Sequence, residues 1–416
     1  MLKRIPRYSF IQEKFSIIFS RKITYIYFAI FTLLFFAPVF ISNLYVIHTI
    51  TLVMLYIVLA MGLNIIPGFT GLLDLGYVGF YAIGAYTAAV LTYHFGSLST
   101  PWDLFANFWI IIPLAAFNGA LWGILLGVPT LRLTGDYFAI VTFGFASLVE
   151  LIIINEMWLT RGPMGIIIEQ KPTLNLTFLY PITQYLHSEP LKYVFKGDVP
   201  FFYILFFTVI LTIFIVNRLE NSRLGRAWFA IRDDEIAAEC SGINIMKYKV
   251  IAFAISASIG AVAGSIFSFW YKFVSPMSFK FWESILILCM VVLGGMGSIP
   301  GVILGATVII LLSEVIRVVF EWLPHLNQSL PFLFETWPQL NQYWEMLNPL
   351  WPKLVQARFL LFGAILIIMM RFKPAGLIPL SRVKRQMRAT EKSIVDAMNE
   401  DFYKIKLDEE KLADDR

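Results

Sequence analysis

The chain has 416 residues, of which 58% are hydrophobic and only 15% are charged, and its formal net charge is +5. A water-soluble protein of this size could not bury so much apolar surface, so the composition excludes a cytosolic enzyme and an intrinsically disordered chain. The apolar residues form unbroken runs rather than alternating with polar ones, which excludes an outer-membrane barrel. The sequence therefore predicts an all-α polytopic membrane protein.

Hydropathy predicts about ten transmembrane helices, each near the ~20 residues that a bilayer requires. We place them at 23–42, 45–66, 75–95, 108–130, 137–157, 201–217, 250–271, 282–297, 301–320 and 357–372. This divides the chain into an N-terminal flank (1–22), a transmembrane domain (23–380) and a charged C-terminal tail (381–416).

Lysine and arginine residues beside these helices predict the orientation, because they concentrate in short cytoplasmic segments. They crowd the N-terminal flank, the loop 218–249 and the start of the tail, so both termini and this loop are predicted to be cytoplasmic. The stretches 159–200 and 321–356 are then external. Tryptophans in the second stretch indicate contact with membrane lipid, and docking of an external protein is the alternative. Basic residues confined to membrane edges argue against a nucleic-acid surface.

Gly/Pro-rich segments interrupt predicted helices in both halves of the chain, at 62–76 and at 294–301. Such breaks are tolerated at membrane depth only where protein or a water-filled cavity satisfies the freed backbone groups. A pair of them indicates a transport path, and tight helix packing is the alternative. Either segment could be re-entrant or a full turn. The path candidates here are Gly68, Gly71, Asp74, Gly76, Gly294, Gly295 and Gly297.

Asp74 is the most prominent polar group in these segments. Its carboxylate could order exposed amides or contact the ammonium group of a zwitterionic substrate. The alternative is a helix N-cap at the cytoplasmic edge.

The loop 218–249 contains a short predicted helix from Asp233 to Cys240. An acidic first turn suits the helix dipole, two alanines form a flat face, and a following glycine can end the helix in the left-handed conformation. A small exposed helix with a flat face is suited to pressing into a groove on another subunit. The residues concerned are Asp233, Glu235, Ala237, Ala238 and Gly242.

Motifs for catalysis and for cofactor binding are absent from the sequence. It has no phosphate loop of the form G-x-x-x-x-G-K-[ST], no H-E-x-x-H and no C-x-x-C. We therefore expect no catalytic residues, no metal site and no cofactor in this chain, and its histidines are expected to be structural or interfacial. The missing nucleotide site suggests that an ATP-hydrolysing partner docks on the loop. The histidines and cysteines for which we expect no metal-binding or catalytic role are His48, His94, His187, His325, Cys240 and Cys289.

Several motifs, in one order along the chain, resemble those of the LivM-type permease subunits of branched-chain amino-acid ABC importers. They are G-L-L-D-L-G-Y-V-G-F-Y-A-I-G-A-Y (71–86), L-R-L-T-G-D-Y (131–137), L-T-R-G-P-M-G (159–165), E-I-A-A-E-C-S-G (235–242) and V-L-G-G-M-G-S-I-P-G (292–301). The resemblance implies a LivH-type permease partner, an external solute-binding protein and two ABC ATPase subunits that bind ATP and Mg. The helix in the loop would be the coupling helix that contacts the ATPases.

One segment departs from the family pattern. LivM-type chains usually have T-L-x-F-G-E-I-x-R after L-R-L-x-G-D-Y, whereas Ser147 and Glu150 stand here in place of the glutamate and the arginine. Both residues are therefore added to the path candidates. The resemblance implies import of branched-chain amino acids across a bacterial inner membrane, with urea, short amides or other amino acids as alternatives. An ATPase-independent secondary transporter would need paired ionisable residues at mid-membrane, and few exist here.

Overall fold

The computed structural model describes residues 43–95, 107–130, 136–168, 173–175, 192–194, 198–322 and 376–378, with isolated positions between 35 and 40 and between 363 and 371. Within these ranges the protein is a bundle of helices. The helices are α1 (Leu44–Asn64), which continues as a π-helix (Ile65–Thr70), α2 (Tyr77–Phe95), α3 (Phe108–Thr130), α4 (Asp136–Asn155), α5 (Met157–Thr160), α6 (Asp198–Glu220), α7 (Arg223–Asp233), α8 (Glu235–Cys240), α9 (Ile245–Tyr271), α10 (Phe281–Gly294) and α11 (Ile299–Trp322).

Short strands and 3-10 turns connect some of the helices. The turns are Gly162–Met164 and Pro276–Phe279, and the strands are β1 (Ile166–Ile167), β2 (Thr173–Asn175), β3 (Lys192–Val194) and β4 (Phe273–Val274). β1 pairs antiparallel with β4, and β2 pairs antiparallel with β3. The β1–β4 pair joins the segment after α4 to the end of α9.

Each predicted transmembrane helix that falls on described residues is a helix in the structure. Every predicted span from 45–66 to 301–320 corresponds to one helix among α1, α2, α3, α4, α6, α9, α10 and α11. In this described part, seven helical segments are long and apolar enough to cross a membrane, and α2 is not among the seven. The spans 23–42 and 357–372, the N-terminal flank, the tail and most of 321–356 lie outside the described residues, so ten crossings remain a prediction.

At the two Gly/Pro-rich breaks, the predicted helix ends are wrong. The prediction ended α1 before Pro67, yet the helix continues through this proline to Thr70 as a π-helix. A proline has no N–H to donate, and a local π-turn accommodates that loss without ending the helix. The prediction also carried α10 to residue 297, whereas it ends at Gly294 because Gly295 has a φ of 115°, which a helix cannot contain.

Helix α9 packs against α1, α2 and α3, and small residues allow backbones to approach closely there. A Cβ at Gly84 of α2 would lie 2.0 Å from the carbonyl oxygen of Ala261, and one at Gly264 would lie 2.1 Å from that of Tyr81. Such contacts are typical of membrane helices, whose association depends on packing rather than on the hydrophobic effect. These glycines therefore hold α2 directly against α9.

We expect Gly84→Ala to destabilise the protein by about 1–3 kcal/mol, because the added methyl group forces α2 and α9 apart. Gly144→Ala is the matched control, since nothing lies within 4 Å of a Cβ at this position on α4. Thermal unfolding of the two variants in detergent, monitored by size-exclusion chromatography, measures the difference in their stability. Equal unfolding temperatures would contradict the close approach of the two helices.

Candidate functional site

Helices α7 and α8 form a hairpin, residues 223–240, in the loop between α6 and α9. Ser222 caps α7 by accepting hydrogen bonds from two amides of its first turn. The apolar face of α7 is buried against the π-helix, where the ring of Phe69 lies 6.3 Å from that of Trp228 and 5.3 Å from that of Phe229. The hairpin is therefore packed on the membrane helices and does not extend freely from them.

The short helix α8 has the caps that its sequence favours. The carboxylate of Asp234 accepts hydrogen bonds from the amides of Ile236 and Ala237, at 2.9 and 3.0 Å. Gly242 has a φ of 80°, which confirms the predicted left-handed residue after the helix. The predicted start was wrong by two positions: Asp233 ends α7, because extended backbone at Asp234 separates the two helices.

The predicted flat face of two alanines is also wrong. Ala238 is only 3% exposed and packs inward, while Ala237 is exposed. Successive residues on a helix point about 100° apart, and here the step from Ala237 to Ala238 turns the second alanine towards the bundle. Ile236, which is 75% exposed, accompanies Ala237 on the outer surface instead. Sequence reasoning missed Ile236 because a six-residue helix is too short to show a periodic apolar face.

An ion pair anchors α8 to α9. The Lys249 side chain is 4% exposed, and its Nζ lies 2.5 Å from Oε1 of Glu235, whose side chain is 44% exposed. Glu235 was predicted to suit the dipole of α8 and to belong to the docking surface. The structure gives it a second task, because its carboxylate neutralises a buried amine. No sequence signal identified Lys249 as the partner.

The two Gly/Pro-rich breaks meet at the end of the bundle that carries the hairpin. The amide of Gly297 donates a hydrogen bond to Oδ1 of Asn64, at 2.8 Å. A Cβ at Gly68 would lie 2.7 Å from that same amide nitrogen. The guanidinium of Arg232, on α7, donates a hydrogen bond to the carbonyl oxygen of Gly68. The breaks therefore contact each other and the hairpin.

Asp74 and Gly76 lie against α4. A Cβ at Gly76 would come within 2.2 Å of the carbonyl oxygen of Thr142. Asp74 is fully buried, and its Oδ1 accepts a hydrogen bond from the Gly76 amide at 2.8 Å. Its Oδ2 has no hydrogen-bond partner among the described residues, and neither have Nδ2 of Asn64 and the hydroxyl of Tyr77. Unpartnered buried polar atoms are uncommon, and three of them belong to the first break and its flanks.

The remaining path candidates occupy two other places. Gly294 lies against Gly301, where an added Cβ would be 2.3 Å from the carbonyl oxygen, and Gly295 lies against Gly376. Ser147 donates a hydrogen bond within its own helix, and Glu150 makes no hydrogen bond or ion pair within the described chain.

Ser147 and Glu150 stand apart from the two breaks. At 1.5 Å per residue they lie about 8 and 12 Å farther along α4 than Thr142, which contacts the first break. The structure therefore brings together Gly68, Gly71 and Gly297 around Arg232, and does not bring Ser147 and Glu150 to them.

One face of α4 is exposed and apolar. Ile140, Leu148 and Leu151 are 63%, 59% and 53% exposed, and the space beside Gly144 is open. Ser147 and Glu150 are half-buried at the margin of this face. This arrangement leaves a helix surface that other described residues do not cover.

The described histidines take part in packing. The ring of His48 lies 4.8 Å from that of Trp270, and its Nδ1 lies 3.5 Å from Oδ2 of Asp198. His94 lies near the carbonyl oxygen of Leu159. In the ranges that the structure covers, no group of three or more histidine, cysteine, aspartate or glutamate side chains could hold a metal ion. His187 and His325 lie outside those ranges.

Comparison with known proteins gives consistent matches. The family model described as the permease component of the branched-chain amino acid transport system matches residues 45–370. The chain is 38% identical to the high-affinity branched-chain amino acid transport system permease protein LivM of Escherichia coli, over 81% of this chain and 71% of that protein. The LivM protein of Salmonella typhimurium is also 38% identical, over 82% and 71% of the two chains.

A second type of relative is more distant. The LivH permease protein of Escherichia coli is 26% identical, over 62% of this chain and 81% of its own length. No solved structure matches the chain.

We expect Glu235→Gln to destabilise the chain by about 1–3 kcal/mol, because it leaves the buried amine of Lys249 without a charged partner. The double variant Glu235→Gln with Lys249→Met should recover most of this loss, since a buried apolar side chain needs no partner. Thermal unfolding in detergent compares the two. A double variant no more stable than the single one would show that the ion pair does not anchor α8.

Proposed function

The chain belongs to the family of branched-chain amino acid transport system permease components, and on this premise we propose that it is one of two membrane-spanning subunits of an ATP-driven importer of branched-chain amino acids. In this proposal it forms the pore with a LivH-type permease in a bacterial inner membrane. An external solute-binding protein delivers the substrate. Two ABC ATPase subunits bind ATP and Mg and supply the energy, and this chain contributes no catalytic residue.

The shape of the hairpin supports the proposal that an ATPase docks on it. Its inner side is fixed by buried aromatic residues and by the Lys249–Glu235 pair, while Ile236 and Ala237 are exposed on α8. An exposed apolar residue on a rigidly held helix favours insertion into a groove on another protein. ATP is cytoplasmic, so the hairpin end of the bundle is proposed to face the cytoplasm, in agreement with its basic residues. Approach of the two ATPases would then move α8 and switch the pore by rigid-body movement.

The exposed face of α4 is proposed to contact the LivH-type subunit. Its apolar residues and the open space beside Gly144 would permit close helix packing against that partner. Glu150 lies at the margin of the face, and a carboxylate within a membrane helix requires a polar partner or water. We therefore place Ser147 and Glu150 at a subunit interface that borders the substrate path, with the breaks at the cytoplasmic end of that path.

Reconstitution tests the proposed function directly. The chain, a LivH-type partner and the ATPases are placed in liposomes, and the companion binding protein is added with labelled leucine or with labelled urea. ATP-dependent leucine uptake is expected. Uptake of urea but not of leucine would show that the substrate is not a branched-chain amino acid. Leucine uptake by this chain without the ATPases would contradict the proposal that transport is driven by ATP.

For the docking surface, we expect Ala237→Trp to reduce co-purification of the ATPases and to lower uptake about tenfold or more, because a bulky side chain prevents seating of α8. The stability of the isolated chain should not change, since Ala237 is exposed. Asn221→Trp is the control, because Asn221 is exposed on the same side of the bundle but precedes the hairpin. Normal co-purification and normal uptake in Ala237→Trp would remove the docking role.

For the path, we propose that the charge of Asp74 acts on the substrate or on water beside it. Asp74→Asn keeps an oxygen that can accept the hydrogen bond from the Gly76 amide, so the turn should fold normally. Uptake is expected to fall about tenfold while thermal stability stays within about 1 kcal/mol of the original. Unchanged uptake would leave Asp74 with the capping role alone.

A further inference from the structure

Arg232 occupies a socket built from three glycines that belong to the two separate breaks. A Cβ at Gly71 would lie 3.1 Å from Cγ of Arg232, and a Cβ at Gly297 would lie 3.2 Å from its Nη1. The carbonyl oxygen of the third, Gly68, accepts the guanidinium hydrogen bond. Gly71 and Gly297 also have φ values of 77° and 89°, which side-chain-bearing residues rarely adopt.

The hydrogen bond satisfies a group that the fold itself leaves open. Gly68 lies in the last turn of the helical segment that ends at Thr70, where carbonyl groups have no partner within the helix. A cation is favourable at a helix C-terminus because the helix dipole is negative there. Burial lowers the pKa of the Arg232 guanidinium and the nearby Asp233 opposes this shift, but an arginine remains charged at neutral pH.

The position of Arg232 in the chain links this contact to α8. It lies two residues before Asp234, whose extended backbone joins α7 to α8. A second attachment, the Glu235–Lys249 pair, joins α8 to α9. The contacts that link the hairpin to the membrane helices thus include one to α9 and one to the junction where Gly68 and Asn64 meet Gly297.

We propose that Arg232 is the positioning residue that transmits movement of α8 to this junction, so that withdrawal of its guanidinium loosens the contact between the two breaks. The proposal rests on the proposed function, in which α8 is moved by ATPases. In this role the three glycines leave room for an arginine of the hairpin between the ends of two membrane helices. Capping of α1 alone is the competing explanation, and it predicts a loss of stability without a loss of coupling.

Three variants separate transmission from capping. Arg232→Met removes the hydrogen bond and the charge, Arg232→Lys keeps the charge and one possible donor, and Arg218→Met removes an exposed arginine at the end of α6, outside the hairpin, as a control. Leucine uptake and ATP hydrolysis are measured in liposomes that contain the complete complex. For Arg232→Met we expect uptake per ATP hydrolysed to fall about tenfold while hydrolysis continues, with an intermediate value for Arg232→Lys and no change for Arg218→Met.

If uptake and ATP hydrolysis by Arg232→Met fell in parallel, so that uptake per ATP stayed the same, the transmission role would be overturned. Normal uptake by this variant would overturn it as well. If Arg232→Met does not assemble, the ratio in Arg232→Lys decides, since a ratio equal to that of the unmodified complex would also overturn it.

A second measurement does not depend on the identity of the substrate. Ser298 is 4% exposed and follows Gly297, so Ser298→Cys places a thiol at the junction, with Cys240 and Cys289 replaced by serine. We expect a hydrophilic thiol reagent to label this cysteine at a rate that changes about fivefold or more when the ATPases bind a non-hydrolysable ATP analogue. Arg232→Met should abolish that dependence. In the Ser298→Cys complex that keeps Arg232, a labelling rate independent of nucleotide would overturn the proposal, whereas absence of leucine uptake alone would contradict only the proposed function.

Discussion

A backbone group that leaves a membrane helix must find a partner inside the protein, because the hydrocarbon offers none. The first break of this chain frees such groups where the helix of residues 44–70 ends. One of its carbonyl groups accepts a hydrogen bond from Arg232, which belongs to α7 and not to a membrane-spanning helix. The side chain of Asn64 accepts a hydrogen bond from the amide of Gly297. The hairpin and the two breaks are joined through these backbone groups.

The same glycine-rich composition serves two different purposes in the molecule. Within the bundle, Gly84 and Gly264 bring α2 and α9 into backbone contact, and their role is packing. At the junction, Gly71 and Gly297 have left-handed backbones and make room for a charged side chain. Transport paths and packed helix pairs draw on the same residue types, so composition alone cannot distinguish them.

The proposed division of labour within an ATP-driven importer would account for the shortage of polar groups. The energy source and the capture of the solute are proposed to belong to other subunits, so this chain needs a surface that receives movement and helices that can respond to it. The hairpin suits this proposed role, because it is packed against the bundle on one side and exposes Ile236 on the other. Two of its polar contacts lead to different places, Glu235 to Lys249 on α9 and Arg232 to the end of the π-helix.

The sequence by itself determined the eight long helices that the structure describes, the short helix with its glycine cap and the family, because apolar length, capping residues and motif order are properties of neighbouring residues. It could not decide how Pro67 is accommodated, or which alanine of α8 is exposed, because both depend on what packs around them. The partners of Glu235, Gly68 and Gly297 also emerged only in the folded chain. Arg232 is 164 residues from Gly68, and no local pattern records a contact over that distance. Only the tertiary structure brings these groups together, because their mutual satisfaction requires helices distant in sequence to end at the same place.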